Sequence, residues 1–350
     1  MTGALIITGG LVVDPAGAVV QKAITVEGDR LVSLTNGNAD YIDASGKFVA
    51  PGIVDLGVFA VDKPGFIAGG ITRVALMPDQ SPPLDDPGLV QRGALAAKPD
   101  LWVHPLGAAT RGLEGRELAE YALMARAGAK AIATGRGWIA DSGVMQRVLT
   151  YAGSLGLTVI SHAEDGGLTA QAVATDGETA TRLGLASAPS AAEAMAIARD
   201  LALVELTRSA LHFRQVTTAR GLDLIRRAKQ AGLPVTCGIT PAHLFLSDIA
   251  ISGFRTFACL SPPLRCEDDR LACIEAVRDG TIDVLCSGHD PRGPEAKRLP
   301  FADAAPGMAG AALNSADEMA TARIRKSGRC KQSSAKCKTF CGENVNSLNS

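Results

Sequence analysis

The sequence predicts an α/β chain, a (β/α)8 TIM-type barrel carrying a small N-terminal β unit. Three observations support this. At 350 residues the chain is too long for one small domain and suits a barrel, a fold that commonly passes about 250 residues as one unit. Eight β-rich stretches then alternate with helical ones from residue 52 to residue 289. Before residue 52 the texture differs: short β segments follow one another, joined by tight turns.

Residues 1–51 form the small β unit. Leu5-Ile6-Ile7, Leu11-Val12-Val13, Ala23-Ile24-Thr25-Val26 and Arg30-Leu31-Val32 read as strands, with Gly9-Gly10, Asp14-Pro15 and Gly28-Asp29 as turns between them.

Residues 52–311 form the barrel. Its strands are expected at 52–59, 71–78, 101–108, 129–135, 157–163, 210–216, 234–240 and 281–289. Ser190-Ala191-Ala192-Glu193 reads as a capping box, with Ala194, Ile197, Leu201 and Val204 recurring behind it on one helical face. Val144, Val148, Tyr151 and Leu155 mark another such face before the fifth strand. Eight β-α repeats imply parallel strands with right-handed crossovers; against an open doubly wound sheet, the strand count favours closure. One repeat is defective. Only residues 60–70, with Lys63-Pro64-Gly65 and Gly69-Gly70, separate the first two strands, too few for two loops and a full crossover helix.

Residues 312–350 break the pattern. They hold seven Lys or Arg and three Asp or Glu, a net +4 that leaves −5 for residues 1–311. This atypical basic tail reads as disordered or foreign to the rest, as a frameshift would make it.

Composition excludes several classes of function. With 47% hydrophobic and 20% charged residues the chain can bury a sizeable core, which rules out disorder for most of it. A formal net charge of −1 offers no electrostatic footprint for nucleic acid. No apolar run is long enough to span a bilayer, and Met1-Thr2-Gly3-Ala4 lacks the start of a secretory signal, so a cytoplasmic protein is expected. Cys237, Cys259, Cys266, Cys273 and Cys286 read as reduced, buried thiols, whereas Cys330, Cys337 and Cys341 match no zinc-site spacing.

In such a barrel the chemistry sits at the C-terminal ends of the strands. The first strand ends Asp55-Leu56-Gly57-Val58-Phe59, the fourth Thr134-Gly135, the fifth Ser161-His162-Ala163-Glu164-Asp165, the sixth Arg214-Gln215 and the eighth Ser287-Gly288-His289-Asp290. A hydrolytic metal site needs three or four converging ligands. Of the five histidines, His104 reads as a strand residue bonded to backbone, His212 as structural and His243 as a loop residue near the mouth. His162 is the only evident metal ligand on the first six strands, with His289 and Asp290 as weak candidates on the eighth. Lys130, inside the fourth strand, lies about four residues from where a carboxylated lysine would serve.

Several motifs carry a resemblance. Ala50-Pro51-Gly52-Ile53-Val54-Asp55, preceded by Asp43-Ala44-Ser45-Gly46-Lys47, resembles the entry into an amidohydrolase-superfamily barrel. Met77-Pro78, Ser81-Pro82-Pro83-Leu84-Asp85-Asp86-Pro87, Ser161-His162-Ala163-Glu164-Asp165 and Pro262-Pro263-Leu264-Arg265 narrow the likeness to the dihydroorotases. Asp279-Gly280-Thr281-Ile282-Asp283, Pro300-Phe301 and Ala305-Pro306-Gly307 agree, so that the likeness runs over roughly residues 3–310. It implies a (β/α)8 barrel with a small β-sandwich unit.

The family's functional residues do not carry over. Its first-strand His-x-His falls on Gly57 and Phe59, and the arginine that grips the substrate carboxylate on Val61. The bridging carboxylate or carboxylated lysine falls near Thr134 and Gly135, the sixth-strand histidine on Gln215, and the eighth-strand aspartate, ligand and general base, on Gly288. The family's asparagines after Met-Pro and before Pro-Pro-Leu-Arg are here Asp79 and Ser261. His162 alone remains, a vestigial ligand. Hydrolysis of a cyclic amide needs a metal-activated water and a proton-accepting carboxylate, and glycine at 288 cannot accept a proton. The resemblance therefore implies a non-catalytic relative, without metal or cofactor, of the kind that assembles with aspartate transcarbamoylase in pyrimidine biosynthesis. The alternative is an active metal-dependent cyclic-amide hydrolase with a reduced zinc site.

Overall fold

The computed structural model describes residues 4–13, 18–33 and 39–313. The tail from residue 314, with Cys330, Cys337 and Cys341, lies outside the described residues. Two compact units part between Ile53 and Val54.

The first unit contains β1 (Ala4–Thr8), β2 (Leu11–Val13), β3 (Val19–Gln21), β4 (Ile24–Glu27), β5 (Arg30–Val32), β6 (Ala39–Asp43) and β7 (Phe48–Val49). They form one sheet of order β5-β4-β1-β6 and another of order β3-β2-β7. Ile6, Val12 and Ala44 are buried. The four strands expected from sequence are joined by β3, β6 and β7, whose weak apolar alternation gave no period-2 signal. Asp43 Oδ1 accepts hydrogen bonds from Ser45 N at 2.9 Å and Ser45 Oγ at 2.6 Å. The turn then passes through Gly46 at φ 73°, a region that favours glycine.

The second unit begins with β8 (Ile53–Val58), β9 (Ile71–Leu76), β10 (Trp102–Pro105), β11 (Gly107–Ala108), β12 (Ile132–Ala133) and β13 (Val159–Ser161). It continues with β14 (Ala174–Thr175), β15 (Ser187–Ala188), β16 (Leu211–Phe213), β17 (Val235–Ile239) and β18 (Val284–Leu285). Each of the eight expected stretches contains a strand, the third interrupted at Leu106. Its two pieces bridge neighbours: Leu106 N donates to Leu76 O and Gly107 N to Ala131 O, both at 2.9 Å. From β11 the order is β11-β12-β13-β16-β17-β18, every pair parallel. The end of the last stretch lies beside the end of the first, where Phe59 N donates to His289 O at 2.8 Å. Buried Asp55 ties the same two ends, accepting from Ser287 N at 3.1 Å and from Ser287 Oγ. Burial raises its pKa, opposed by those bonds. The extra parallel pair β14–β15, two residues a side, escaped the periodicity reading.

The helices are α1 (Lys63–Ala68), α2 (Pro87–Leu95), α3 (Tyr121–Arg126), α4 (Ser142–Ser154), α5 (Gly166–Thr169) and α6 (Glu178–Leu183), then α7 (Ala191–Thr207), α8 (Ala219–Gln230), α9 (Pro241–Phe245), α10 (Glu267–Arg278) and α11 (Pro294–Lys297). The short first crossover does hold a helix, six residues long. Asp62 caps it by accepting from Gly65 N at 3.1 Å, Pro64 supplies a preset φ, and Gly70 at φ 67° turns the chain directly into β9. Its end sits so close to the chain that a Cβ on Gly69 would lie 2.2 Å from Ala311 O.

Three other expectations are corrected. Ser190 makes no side-chain cap bond, and Glu193, fully buried, turns instead to the loop after β16. The apolar face of α7 is as expected: Ala194, Ile197, Leu201 and Val204 are all buried. On α4, Val144 and Val148 are buried, but Leu155 is the helix C-cap and is exposed. Of the thiols, Cys237, Cys259, Cys273 and Cys286 are buried, whereas Cys266 is exposed at the start of α10.

Candidate functional site

The strand ends gather a polar pocket lined in part by Phe59, Arg136, Arg214, Gln215, Gly288 and Asp290. These residues sit at or just after the C-terminal ends of β8, β12, β16 and β18.

His162 follows β13 and is buried. Its backbone N–H donates to Thr134 Oγ1 at 3.1 Å, so the fourth-strand position serves it as an acceptor. Its ring is engaged on both sides. Arg214 Nη2 lies 3.0 Å from Nδ1, and Glu164 Oε2 lies 3.3 Å from Nε2. A guanidinium has only donors, so Nδ1 must accept and Nε2 must carry the hydrogen that faces Glu164.

Glu164 connects this ring to a buried ion cluster. Arg265, 3% exposed, places Nη2 2.8 Å from Glu164 Oε1 and 3.6 Å from Glu193 Oε2, while its Nε donates to Thr217 Oγ1 at 2.9 Å and its Nη1 to Thr175 Oγ1 at 3.1 Å. Glu193 accepts from Thr217 N at 3.0 Å and Thr218 N at 2.9 Å and from both threonine hydroxyls. Burial pushes the Glu164 carboxyl up, but the His162 hydrogen bond and the Arg265 charge outweigh it and hold the pKa at about 2.

Two guanidiniums flank Phe59, where the resemblance places a metal-binding histidine: Cζ of Arg136 is 3.8 Å and Cζ of Arg214 5.1 Å from the ring centroid. Arg136 pairs bidentately with Asp290, Nη2 at 2.9 Å from Oδ1 and Nη1 against Oδ2. Arg292 Nη2 also reaches Asp290, at 2.9 Å. The backbone N–H of Arg136 donates to Asp79 Oδ1 at 2.8 Å, and Gly135 at φ 79° lets Asp79 approach so closely that a Cβ there would meet its carboxylate at 2.7 Å.

The weak metal candidates do not converge. His289 Nδ1 accepts from Ala311 N at 3.1 Å, and its Nε2 faces Asp62 at 3.4 Å. Asp290 is occupied by two arginines, and Asp165 caps α5, accepting from Gly167 N at 2.9 Å and Leu168 N at 3.2 Å. The donor set does not fit a zinc ion: Gly57, Phe59, Gln215 and Gly288 offer no ligand, and both nitrogens of His162 are engaged. Among the described residues no three His, Cys, Asp or Glu side chains are placed to hold a metal. Val61 is half-buried and lacks a charge to grip a carboxylate, and Lys130 is exposed before β12.

The other histidines serve the framework. His243, on the short helix α9 rather than a loop, lines the pocket with Nδ1 2.7 Å from Thr240 Oγ1 and Nε2 3.0 Å from Pro262 O. His212 Nδ1 lies 2.8 Å from Thr236 Oγ1. His104 is not bonded to backbone as expected; its Nε2 is buried without a partner. Sequence reasoning missed Arg136 and the counter-role of Arg214. The available signal was an arginine adjoining each of two positions where the resemblance expects a ligand, Gly135 and Gln215.

The sequence profile of the family described as Dihydro-orotase-like matches residues 46–220. A dihydroorotase from Pelotomaculum thermopropionicum is 40% identical over 326 residues, 87% of this chain and 76% of that protein. A dihydroorotase-like protein from Pseudomonas aeruginosa is 37% identical over 332 residues, 88% of this chain and 77% of that one. The fold is shared with L-hydantoinase from Arthrobacter aurescens, at a TM-score of 0.75 and 22% identity over 89% of this chain and 75% of that one. The chain belongs to the dihydroorotase-like family.

Proposed function

We propose that the chain is a catalytically inactive dihydroorotase-like protein of pyrimidine biosynthesis that acts in the cytoplasm as a structural partner of aspartate transcarbamoylase. In this reading the second unit is a closed (β/α)8 barrel and the first a small β-sandwich. The observation that carries the proposal is the filling of the strand-end centre by protein groups: Arg214 and Glu164 take both nitrogens of His162, and Arg136 stacks on Phe59. A hydrolase of the amidohydrolase superfamily would need metal-bound water and a carboxylate base at that point. Here guanidinium charge stands there instead, and Gly288 leaves no base on the eighth strand. No helix among the described residues is long and apolar enough to cross a membrane, in keeping with an assembly free of the bilayer.

The test pairs two measurements. Metal analysis of the purified chain is expected to find well under one equivalent of zinc, with no turnover of dihydroorotate. Co-expression with the transcarbamoylase of the same organism is expected to yield a complex that survives gel filtration. Stoichiometric zinc with hydrolysis abolished by His162→Ala would establish the reduced-site hydrolase instead. A chain that elutes alone beside the transcarbamoylase would remove the partnership.

A further inference from the structure

The pocket at the strand ends contains a charge without a counter-charge. Arg214 is 5% exposed, yet its Nε has no hydrogen-bond partner, and among the described residues no carboxylate oxygen lies within 4.0 Å of its guanidinium. Among the described residues the one polar contact of its guanidinium, His162 Nδ1, is a neutral acceptor. The carboxylates nearby are committed: Asp290 to Arg136 and Arg292, Glu164 to Arg265 and His162, and Asp79 through Oδ1 to the backbone and side chain of Arg136. Asp79 Oδ2 is itself without a partner; it attracts Arg214 only from a distance. Burying a guanidinium without a paired anion carries a large desolvation penalty.

A second group lining the pocket is also unmatched. Gln215 is 4% exposed, and its Oε1 has no partner. The oxygen and nitrogen of a side-chain amide are told apart by their hydrogen bonds, and with Oε1 unpartnered the amide can present either end. Gln215 adjoins Arg214 at the end of β16, and the glycine opposite, Gly288, brings no side chain into the space between them.

We propose that this pocket binds a small monovalent carboxylate, held by the Arg214 guanidinium and by the Gln215 amide turned to donate. A carboxylate supplies the missing negative charge in a planar form that a guanidinium and an adjacent N–H both fit. Arg214 thus makes the strand-end centre an anion site, where the superfamily's hydrolases place cations. No bond is made or broken, and the site needs neither metal nor a transcarbamoylase. Failure of this proposal is therefore separable from failure of the assembly proposed above.

The experiment uses the full chain and carbon-13-labelled acetate as probe, followed by line broadening of the acetate signal and by thermal unfolding, with sodium chloride at matched ionic strength as reference. Acetate is expected to bind saturably and raise the unfolding midpoint beyond chloride. Arg214→Gln and, separately, Gln215→Met are each expected to weaken acetate about tenfold, the loss of one charge-assisted hydrogen bond. Gln215→Met removes an unpartnered amide, so it keeps the test open if Arg214→Gln does not fold. Acetate effects no larger than those of chloride, or unchanged affinity in Gln215→Met, would overturn the proposal. So would inorganic phosphate binding more tightly than acetate, since the class of ligand would then be wrong.

Discussion

Arg214 points Nη2 at His162 Nδ1 from 3.0 Å, so the one histidine that the resemblance matches to a metal ligand is a hydrogen-bond acceptor for a buried guanidinium. A histidine can give Nδ1 to a metal or to an arginine, not to both. The pairing also fixes the tautomer, because the remaining hydrogen must sit on Nε2 facing Glu164. Long-range nitrogen–proton spectra of the histidine-labelled chain are expected to show an Nε2–H ring that vanishes in His162→Gln. That signal should not move on adding zinc. A zinc-dependent shift of the His162 nitrogens would contradict the pairing.

Stability is expected to fall as the solution is made acid from neutral pH. Burial lowers the pKa of His104, His212 and His243 to about 4 from 6.5. The unfolded chain binds those protons first, so the stability these rings contribute is present above pH 6.5 and is lost as pH falls toward 4. Asp200 acts in the opposite sense. Burial raises its pKa from 3.8 to about 6, so the native state binds the proton first and gains stability as pH falls through that window. Asp55, also raised by burial, acts with Asp200, and His289, lowered by burial, acts with the three rings, so the histidines prevail. Urea midpoints should therefore drop between pH 7 and pH 4.5, and drop more steeply in Asp200→Asn. A flat profile, or a shallower one in that variant, would show these charges to be solvated.

The framework was more legible in the sequence than the site because the motifs that identify the family build the framework. Asp86 and Pro87 open α2 as cap and first residue, and Asp85 accepts from Gly112 N at 2.8 Å. Asp283 accepts from Cys237 N at 2.9 Å and Lys229 Nζ at 2.5 Å, and Phe301 is buried beside Leu260. Asp86 and Pro87 act on their own helix, so their spacing carries the information; Asp85 and Asp283 reach across the chain but belong to motifs recognisable as wholes. Arg136, Arg214 and Gln215 meet through long-range folding, and no spacing announces where a long guanidinium will end. The capping-box reading failed for the same reason: Glu193 found two threonines and an arginine in space, not the serine three residues before it.

Arg265 is expected to be among the most sensitive positions in the chain. It lies between Glu164 and Glu193, all three 6% exposed or less. Arg265→Met would leave two carboxylates with one fewer cation, at a cost of about 3–5 kcal/mol. Glu164→Gln added to that variant should recover part of the loss by removing one uncompensated charge. Urea denaturation of the single and double variants measures the coupling. Additive losses would mean that the cluster does not act as a unit.

Gly288, where the resemblance expects the eighth-strand carboxylate, leaves little room for a side chain. Its φ is 58°, and a Cβ there would stand 2.7 Å from Thr240 Cγ2 and 3.5 Å from Gln215 Nε2. Thr240 cannot swing away freely, since its Oγ1 lies 2.7 Å from His243 Nδ1 and a β-branched side chain has few rotamers. Gly288→Ala is expected to destabilise the chain by about 1–3 kcal/mol, from backbone strain and the contact with Thr240 together. Adding Thr240→Ser removes the methyl while keeping the hydroxyl on His243, so it should recover the contact share and leave the backbone share. Urea midpoints of the two variants separate these contributions. A Gly288→Ala chain as stable as the parent would mean that the loop after β18 relaxes freely. In that case the strand end would accept an aspartate at this position without a structural obstacle.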